Sequence, residues 1–296
     1  MSLKPMNIKE IQLLKNKRKL SMLTAYDYPL ASFMDKAGLD MILVGDSLAN
    51  VVLGLNSTTE VGMQEMLHHA KAVTRAVKNA LVIGDMPYES YQTNPQEAVN
   101  NAKRFIVEAK CGAIKLEWFD KCLEVTEEII KANIPVMGHI GLTPQTADKI
   151  GGFKVQGKDA EAAQRLIEQA LALEKLGCFS IVLECVPDKI AAIITKKLKI
   201  PTISCGAGPD CDGQVLVTYD LLGLFERFTP KFVKKYVDLA PIIIEAFSKY
   251  KKEVEEGKFP GPEHSFSIKE EELRKIINSQ CHCEPCLPKA GEAKQS

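Results

Sequence analysis

Short apolar runs recur along the chain, separated by longer segments in which apolar residues return every three or four positions. The runs are KLSMLTA (19–25), MILV (41–44), LVIG (81–84), AIKL (113–116), IPVMG (134–138), SIVLE (180–184), IPTIS (200–204) and VLVTY (215–219), eight in all. A parallel strand buried on both faces reads as such a continuous run. The segments between them carry helical period. Residues 62–79 set Met63, Met66, Leu67, Ala70, Thr74 and Val77 on one face, and 95–110 do so with Ala98, Ala102, Phe105, Ile106 and Ala109. Asn94, Pro95 and Glu97 mark the start of the second with an N-cap, a first-turn proline and a third-position acid. Further helices are predicted at about 7–15, 159–176 and 230–256.

Alternating strand and helix implies parallel pairing with right-handed crossovers. Eight such strands suit a closed (β/α)8 barrel of α/β class, with the helix at 7–15 ahead of it. The alternative is an open, doubly wound sheet, which often carries a glycine-rich nucleotide turn after an early strand. The chain has no GxGxxG or GxxxxGK[ST], and its nearest glycine-rich stretch, CGAGPDCDG at 205–213, comes late and with the wrong spacing. The barrel is therefore favoured. Two long loops, 45–61 and 139–158, follow strand C-terminal ends, the face where a barrel keeps its active site. One of them is expected to cover the substrate.

The strand ends carry the chemistry. MILV stops at Gly45-Asp46 and LVIG at Gly84-Asp85; AIKLE holds Lys115 and Glu117; SIVLE ends at Glu184. A lone Asp here would be a loop or helix cap. Two in matched contexts, with Glu117 from the next strand, point instead to an oxygen-rich site for a hard cation such as Mg²⁺. Lys115 and Glu117 are two apart and so face the same side, which suggests either an ion pair with each other or a fixed cation for a substrate carboxylate. His139, read as the first residue of a loop, is a candidate for substrate binding or for orienting a carboxylate. Burial at a strand end would suit Glu184 to general-base work near neutrality. His68 and His69 fall inside a predicted helix and read as structural. The residues alone thus suggest a Mg²⁺-assisted reaction on a small oxygen-rich substrate, through an enolate.

Composition narrows the partners. Lys plus Arg total 38 and Asp plus Glu total 38, so no net field draws the chain to nucleic acid or anionic lipid. No apolar stretch approaches the roughly 20 residues of a membrane span, and KNKRK at 15–19 is followed too soon by Tyr26, Asp27 and Pro29 for a signal peptide. Nine cysteines, six of them scattered singly, fit reduced thiols in the cytoplasm. Cys281, Cys283 and Cys286 cluster with His282 near the C-terminus without the paired CxxC spacing of a zinc knuckle; a disordered tail from about 279 is the simpler expectation.

Longer motifs add a family resemblance. MLTAYDYPLASFMDKAGLDMILVGDSLANVVLG, GDMPYESY, AIKLEW, PVMGHIGLTPQ, GAGPDCDGQVLVTYDLLG and FPGPEHSF, in this order between about 6 and 266, resemble ketopantoate hydroxymethyltransferases. The resemblance implies a single barrel domain over 1–266, of the phosphoenolpyruvate/pyruvate superfamily, followed by an extension over 267–296. It implies hydroxymethyl transfer from 5,10-methylenetetrahydrofolate to 3-methyl-2-oxobutanoate, giving 2-dehydropantoate on the path to pantothenate and coenzyme A, in a homodecamer. On this resemblance Asp46 and Asp85 bind Mg²⁺, Glu117 completes the metal environment, and Ser47, Asp85 and Lys115 bind the keto acid. Asp46 meets both metal and substrate, His139 helps hold the substrate, and Glu184 accepts the proton.

Two stretches depart from the family pattern. PTISCGAG puts Ser204 and Cys205 where an apolar, glycine-containing run is usual, and SQCHCEPCLPKAGEAKQS lies outside it. Two other readings compete. A Mg²⁺-dependent lyase of the same superfamily would be expected to show a catalytic cysteine in a KKCGH-like loop, which is absent. A catalytically silent scaffold would not need both aspartates, Lys115 and Glu184 together.

Overall fold

The computed structural model describes residues 6–150 and 152–280. Eight strands close into a barrel in sequence order: β1 (Leu20–Thr24), β2 (Met41–Val44), β3 (Leu81–Asp85), β4 (Ala113–Glu117), β5 (Val136–Gly141), β6 (Ser180–Glu184), β7 (Thr202–Cys205) and β8 (Gly213–Leu216). Every neighbouring pair is parallel, and β8 closes on β1 with Leu20 opposite Gly213 and Met22 opposite Val215. Closure excludes the open sheet.

The helices are α1 (Ile8–Leu13), α2 (Tyr28–Lys36), α3 (Leu48–Val51), α4 (Met63–Ala76), α5 (Pro95–Val107) and α6 (Cys122–Lys131). They continue with α7 (Ala160–Leu176), α8 (Asp188–Lys197), α9 (Thr218–Leu221), α10 (Leu239–Glu255) and α11 (Glu270–Gln280). The outer core lies between barrel and helices, where Ala98, Ala102 and Phe105 of α5 pack as their spacing predicts. A second cluster fills the barrel from Leu20, Met22, Met41, Leu81, Ile83 and Met137. Ile11 of α1 joins it, so the N-terminal helix packs against the barrel interior opposite the chemical face. Asn7 and Glu10 fix that helix with a reciprocal capping box.

Several boundaries differ from the sequence reading. The strand expected at 215–219 runs from Gly213 to Leu216, because Thr218 turns back to β1, its hydroxyl donating to Thr24 O at 2.6 Å and its amide to Thr24 Oγ1 at 3.0 Å. The helix expected from 230 begins at Leu239. Residues 236 and 239 instead donate their amides to Leu221 O and Leu222 O, binding the segment to the preceding turn. β5 runs through Gly141, so His139 belongs to the strand and not to a loop. The two long loops carry structure of their own: α3 and a 3-10 turn at Thr58–Glu60 in the first, and a 3-10 turn at Pro144–Ile150 in the second.

The chain divides into two units, residues 1–240 and 241–296, a division that falls within α10, ahead of the boundary drawn at 266. In the second unit, described through residue 280, Phe259 packs edge-on to Tyr250 with ring centroids 5.6 Å apart and lies 5.3 Å from the His264 ring. The Cys281, Cys283 and Cys286 cluster lies outside the described residues. No helix among the described residues is long and apolar enough to cross a membrane.

Gly84 exemplifies how tightly helices seat on the barrel. A Cβ at this position would fall 2.3 Å from Cδ1 of the buried Phe105 ring. Gly84→Ala is expected to destabilise the protein by about 1–3 kcal/mol, read as a lower urea midpoint; an unchanged midpoint would mean that α5 moves away at no cost.

Candidate active site

Strand register builds the site. Asp85, the last residue of β3, lies opposite Lys115 of β4, and Glu117, the last residue of β4, lies opposite His139 of β5. Lys115 Nζ donates to Asp85 Oδ1 at 2.6 Å, with both groups buried. The expected Lys115–Glu117 pair is therefore not the one that forms: neighbours on one strand point the same way, while the residue across the ladder comes within bonding distance. Glu117 instead accepts the Gln145 amide at 3.0 Å and has Oε1 3.4 Å from His139 Nδ1. His139 Nε2 is 3.3 Å from Glu184 Oε2 at the end of β6. Both are ion-pair distances, and neither ring nitrogen is aligned for a hydrogen bond.

Asp46, just beyond β2, joins the group through its backbone, donating its amide to Asp85 Oδ2 at 3.2 Å. Its side chain accepts from Gln145 Nε2 at 2.8 Å. Gln145 is the residue the sequence reading missed. Buried in the 3-10 turn after β5, it also donates to Met86 O at 3.0 Å and accepts from the buried Tyr91 hydroxyl. It thereby fixes the acids of two strands at once. Ser47 is held by the Tyr26 hydroxyl at 2.8 Å. His68 and His69 sit on α4, where His69 bonds Tyr26 O at 2.7 Å, a structural role as expected.

Asp46, Ser47, Asp85, Lys115, Glu117, His139 and Glu184 all line one cavity of about 950 Å³. Both long loops border it, through Asn50 and Leu55 on one side and Pro144 and Phe153 on the other.

The electrostatics follow from burial and crowding. Burial pushes Asp46 up to about 6 against the attraction of Lys115, with Glu117 adding to the rise. Burial likewise pushes Asp85 up to about 6, with Lys115 opposing and Asp46 reinforcing. Burial works against charge on Lys115, but Asp85, Glu117 and Asp46 outweigh it and hold the ammonium firmly protonated. The same contest at His139 ends with Glu117 and Glu184 prevailing over burial, at about 9. The imidazole is therefore a cation near neutrality.

The donor set fits a hard divalent cation. When ionised, Asp46, Asp85, Glu117 and Glu184 stand against Lys115 and His139, four negative charges against two positive. Two adjoining carboxylates with room for water and a chelating substrate match the habits of Mg²⁺. Among the described residues, no three acidic, His or Cys side chains form a ready-made cage; Asp46 and Asp85, joined by the Asp46 amide to Asp85 Oδ2, are two acids that could hold such an ion.

Comparison with known proteins agrees with this architecture. A family profile described as ketopantoate hydroxymethyltransferase matches residues 5–262. The 3-methyl-2-oxobutanoate hydroxymethyltransferase of Syntrophomonas wolfei is 58% identical over 262 residues, covering 88% of this chain and 95% of that protein. The Enterococcus faecalis protein of the same name is 55% identical over 258 residues, covering 87% and 94%. Among solved structures, phosphoenolpyruvate phosphomutase from Streptomyces platensis subsp. rosaceus superposes with a TM-score of 0.58 at 13% identity, covering 93% of this chain and 96% of that one. A 2,3-dimethylmalate lyase, a member of the PEP mutase/isocitrate lyase superfamily, gives 0.57 at 12% identity, covering 93% and 95%. These two likenesses concern the fold alone, a (β/α)8 barrel. Sequence match, barrel and strand-end acids together make this chain an enzyme, a transferase that belongs to the ketopantoate hydroxymethyltransferase family.

Proposed function

We propose that the enzyme transfers a hydroxymethyl group from 5,10-methylenetetrahydrofolate to 3-methyl-2-oxobutanoate, forming 2-dehydropantoate for pantothenate and coenzyme A synthesis. The observation that carries this reading is the convergence of Asp46, Asp85, Lys115 and Glu184 in one cavity of a chain with 58% identity to a named 3-methyl-2-oxobutanoate hydroxymethyltransferase. The reading includes a homodecamer in the cytoplasm, as the family resemblance implies.

Bound Mg²⁺ would supply Lewis-acid stabilisation of negative charge on the keto acid as its C3 proton leaves. Asp46 and Asp85 would hold the metal, and Glu117 would complete its environment directly or through water. Lys115, fixed against Asp85 at 2.6 Å, gives the substrate carboxylate and developing enolate a permanent positive neighbour. Ser47, oriented by Tyr26, offers a hydroxyl to the acid. Glu184 takes the C3 proton. Among the site acids it is the more open one, with its side chain 17% exposed, so it can reach a substrate lying above the floor. His139, a cation between Glu117 and Glu184, keeps both carboxylates in place. Water adds to the one-carbon unit as its two C–N bonds break, releasing tetrahydrofolate; C3 bonds to the resulting formaldehyde-level carbon, and that carbon's oxygen takes up the proton held by Glu184 to become the hydroxyl.

Purified protein with Mg²⁺ and both substrates is expected to form 2-dehydropantoate; absence of product would overturn the assignment. Asp85→Asn should weaken Mg²⁺ binding by at least roughly tenfold, read by calorimetry, and an unchanged affinity would remove Asp85 as a ligand. Because both aspartates protonate at about 6 in the metal-free protein, Mg²⁺ affinity should fall as pH drops through that value, as protons compete for the carboxylates. Glu184→Gln should slow exchange of the substrate's C3 hydrogen with solvent by about 10²–10⁴-fold; exchange at the wild-type rate would exclude Glu184 as the base. His139 protonates more readily folded than unfolded. Its contribution to stability is accordingly complete below about 6.5 and is lost as pH rises through about 9. Melting temperatures of the metal-free protein should show that decline, and His139→Gln should flatten it.

A further inference from the structure

The cavity above the acids is larger, and of a different character, than a five-carbon keto acid requires. At about 950 Å³ it lies near the top of the range for drug-sized ligands. Its floor is charged, but much of its upper wall is aromatic, from Phe153, Phe225, Phe228 and Phe232. Gly206 lets Phe232 close onto the end of β7, since a Cβ there would sit 2.5 Å from the ring. Phe153 and Phe228 are 74% and 68% exposed, as rings are when they border a site that an apolar ligand covers. Two cations share this rim. Arg227 is tied across the mouth by donating to Gly54 O at 3.0 Å, and Lys231 lies four residues on.

Asp220 of α9 supplies an independent observation. It lines the same cavity and is only 7% exposed, yet its carboxylate accepts no hydrogen bond from the described residues. The other buried acids are all satisfied. Asp35 accepts the amides of Lys78, Asn79 and Ala80, Asp40 is bound by Arg18 and Ser21, and Asp212 by Lys15 and Thr202. Asp220 has only the more distant charge of Lys235, whose ammonium lies 3.6 Å from Asp238 instead. Its oxygens open onto the cavity and no donor among the described residues meets them there, so a ligand that enters the cavity can supply the donors. The flanking contacts fix its location. Thr218 is bonded to Thr24, and Tyr219 packs edge-on to Tyr26, whose hydroxyl holds Ser47. Asp220 thus stands on the β8–β1 side of the cavity, the side on which Tyr26 holds Ser47.

We infer that Asp220 anchors the pterin ring of the folate co-substrate. The adjacent ring N–H and amino group of the 2-amino-4-oxo pyrimidine present two parallel donors, the pattern a carboxylate accepts in bidentate fashion. The phenylalanine rings give the planar heterocycle an apolar enclosure. Arg227 and Lys231 face the carboxylates of the glutamate tail, where the rim opens to solvent. This assignment rests on the folate-dependent reading above and adds to it the location of the second substrate.

The test separates the two half-reactions. With Asp220→Asn, the KM for 5,10-methylenetetrahydrofolate should rise at least tenfold, while the KM for the keto acid and the folate-independent exchange of its C3 hydrogen stay within about twofold of wild type. Asp220→Glu, which keeps the carboxylate, should recover part of the folate affinity, and Arg227→Ala should raise KM more for a tetrahydrofolate with its glutamate tail than for a tailless tetrahydropterin donor. An unchanged folate KM in Asp220→Asn, or loss of C3 exchange in that variant with its melting temperature intact, would overturn the inference. If the wild-type protein forms no product from folate and keto acid, the functional reading itself fails, which is a different result.

Discussion

The site depends on keeping four carboxylates ionisable in a place from which most water is excluded. Burying a single unpaired carboxylate costs several kcal/mol even after the protein relaxes. The barrel offsets this with the two cations of its own that it brings to the mouth, Lys115 against Asp85 and His139 between Glu117 and Glu184. The compensation is incomplete. Asp46 and Asp85 remain displaced upward to about 6, so in the absence of a metal the folded state resists their ionisation as the pH rises toward that value. A protein selected for stability alone would do better with one acid fewer. The excess negative charge fits the proposed divalent cation, whose own charge would in turn admit an acidic substrate.

The fold meets this constraint by dividing labour between strands and turns. Strand register sets which acid faces which base, and it cannot slip, because Leu20, Met41, Leu81 and their partners fill the barrel interior below. The turns then supply neutral donors that hold the carboxylates without cancelling their charge. Gln145 does this for Asp46 with its side chain and for Glu117 with its backbone, while Tyr91 fixes the amide from behind. A lysine in that position would neutralise the charge that the proposed divalent cation would need.

Much of this was legible in the sequence. Eight apolar runs predicted eight strands, and acids at their ends predicted the face that carries the chemistry, since a charge that interrupts a buried run has to be accommodated by function or pairing. What escaped was whatever depends on neighbours distant in sequence. Lys115 was expected beside Glu117, but the ladder puts Asp85 across from it. His139 follows Gly138, which reads as a strand end; in the barrel a glycine is accommodated in mid-strand where Leu173 presses against it. Gln145 carries no periodicity and no charge, so no pattern singles it out. Asp220 was hidden for a related reason. The apolar run VLVTY seemed to continue the strand through Tyr219, and only the turn enforced by Thr218 and Thr24 brings the next residue over the cavity.

The cavity therefore changes character with depth, and the change has a chemical logic. Its floor is charged and rigid, suited to drawing a proton from a carbon acid, a step that gains from fixed dipoles and little water. Its rim is aromatic and partly exposed, suited to a large planar molecule that must arrive, react and leave. An enolate formed while the rim stood open would be reprotonated by solvent before it met an electrophile. On the proposed reading, covering the floor with the second substrate itself would solve this without a separate lid, because the group that excludes water would also be the group attacked. The two long segments, 45–61 and 139–158, border this cavity: each carries its own helical turn, and each is tied to the floor or the rim, the first by Arg227 on Gly54 and the second by Gln145 on Asp46.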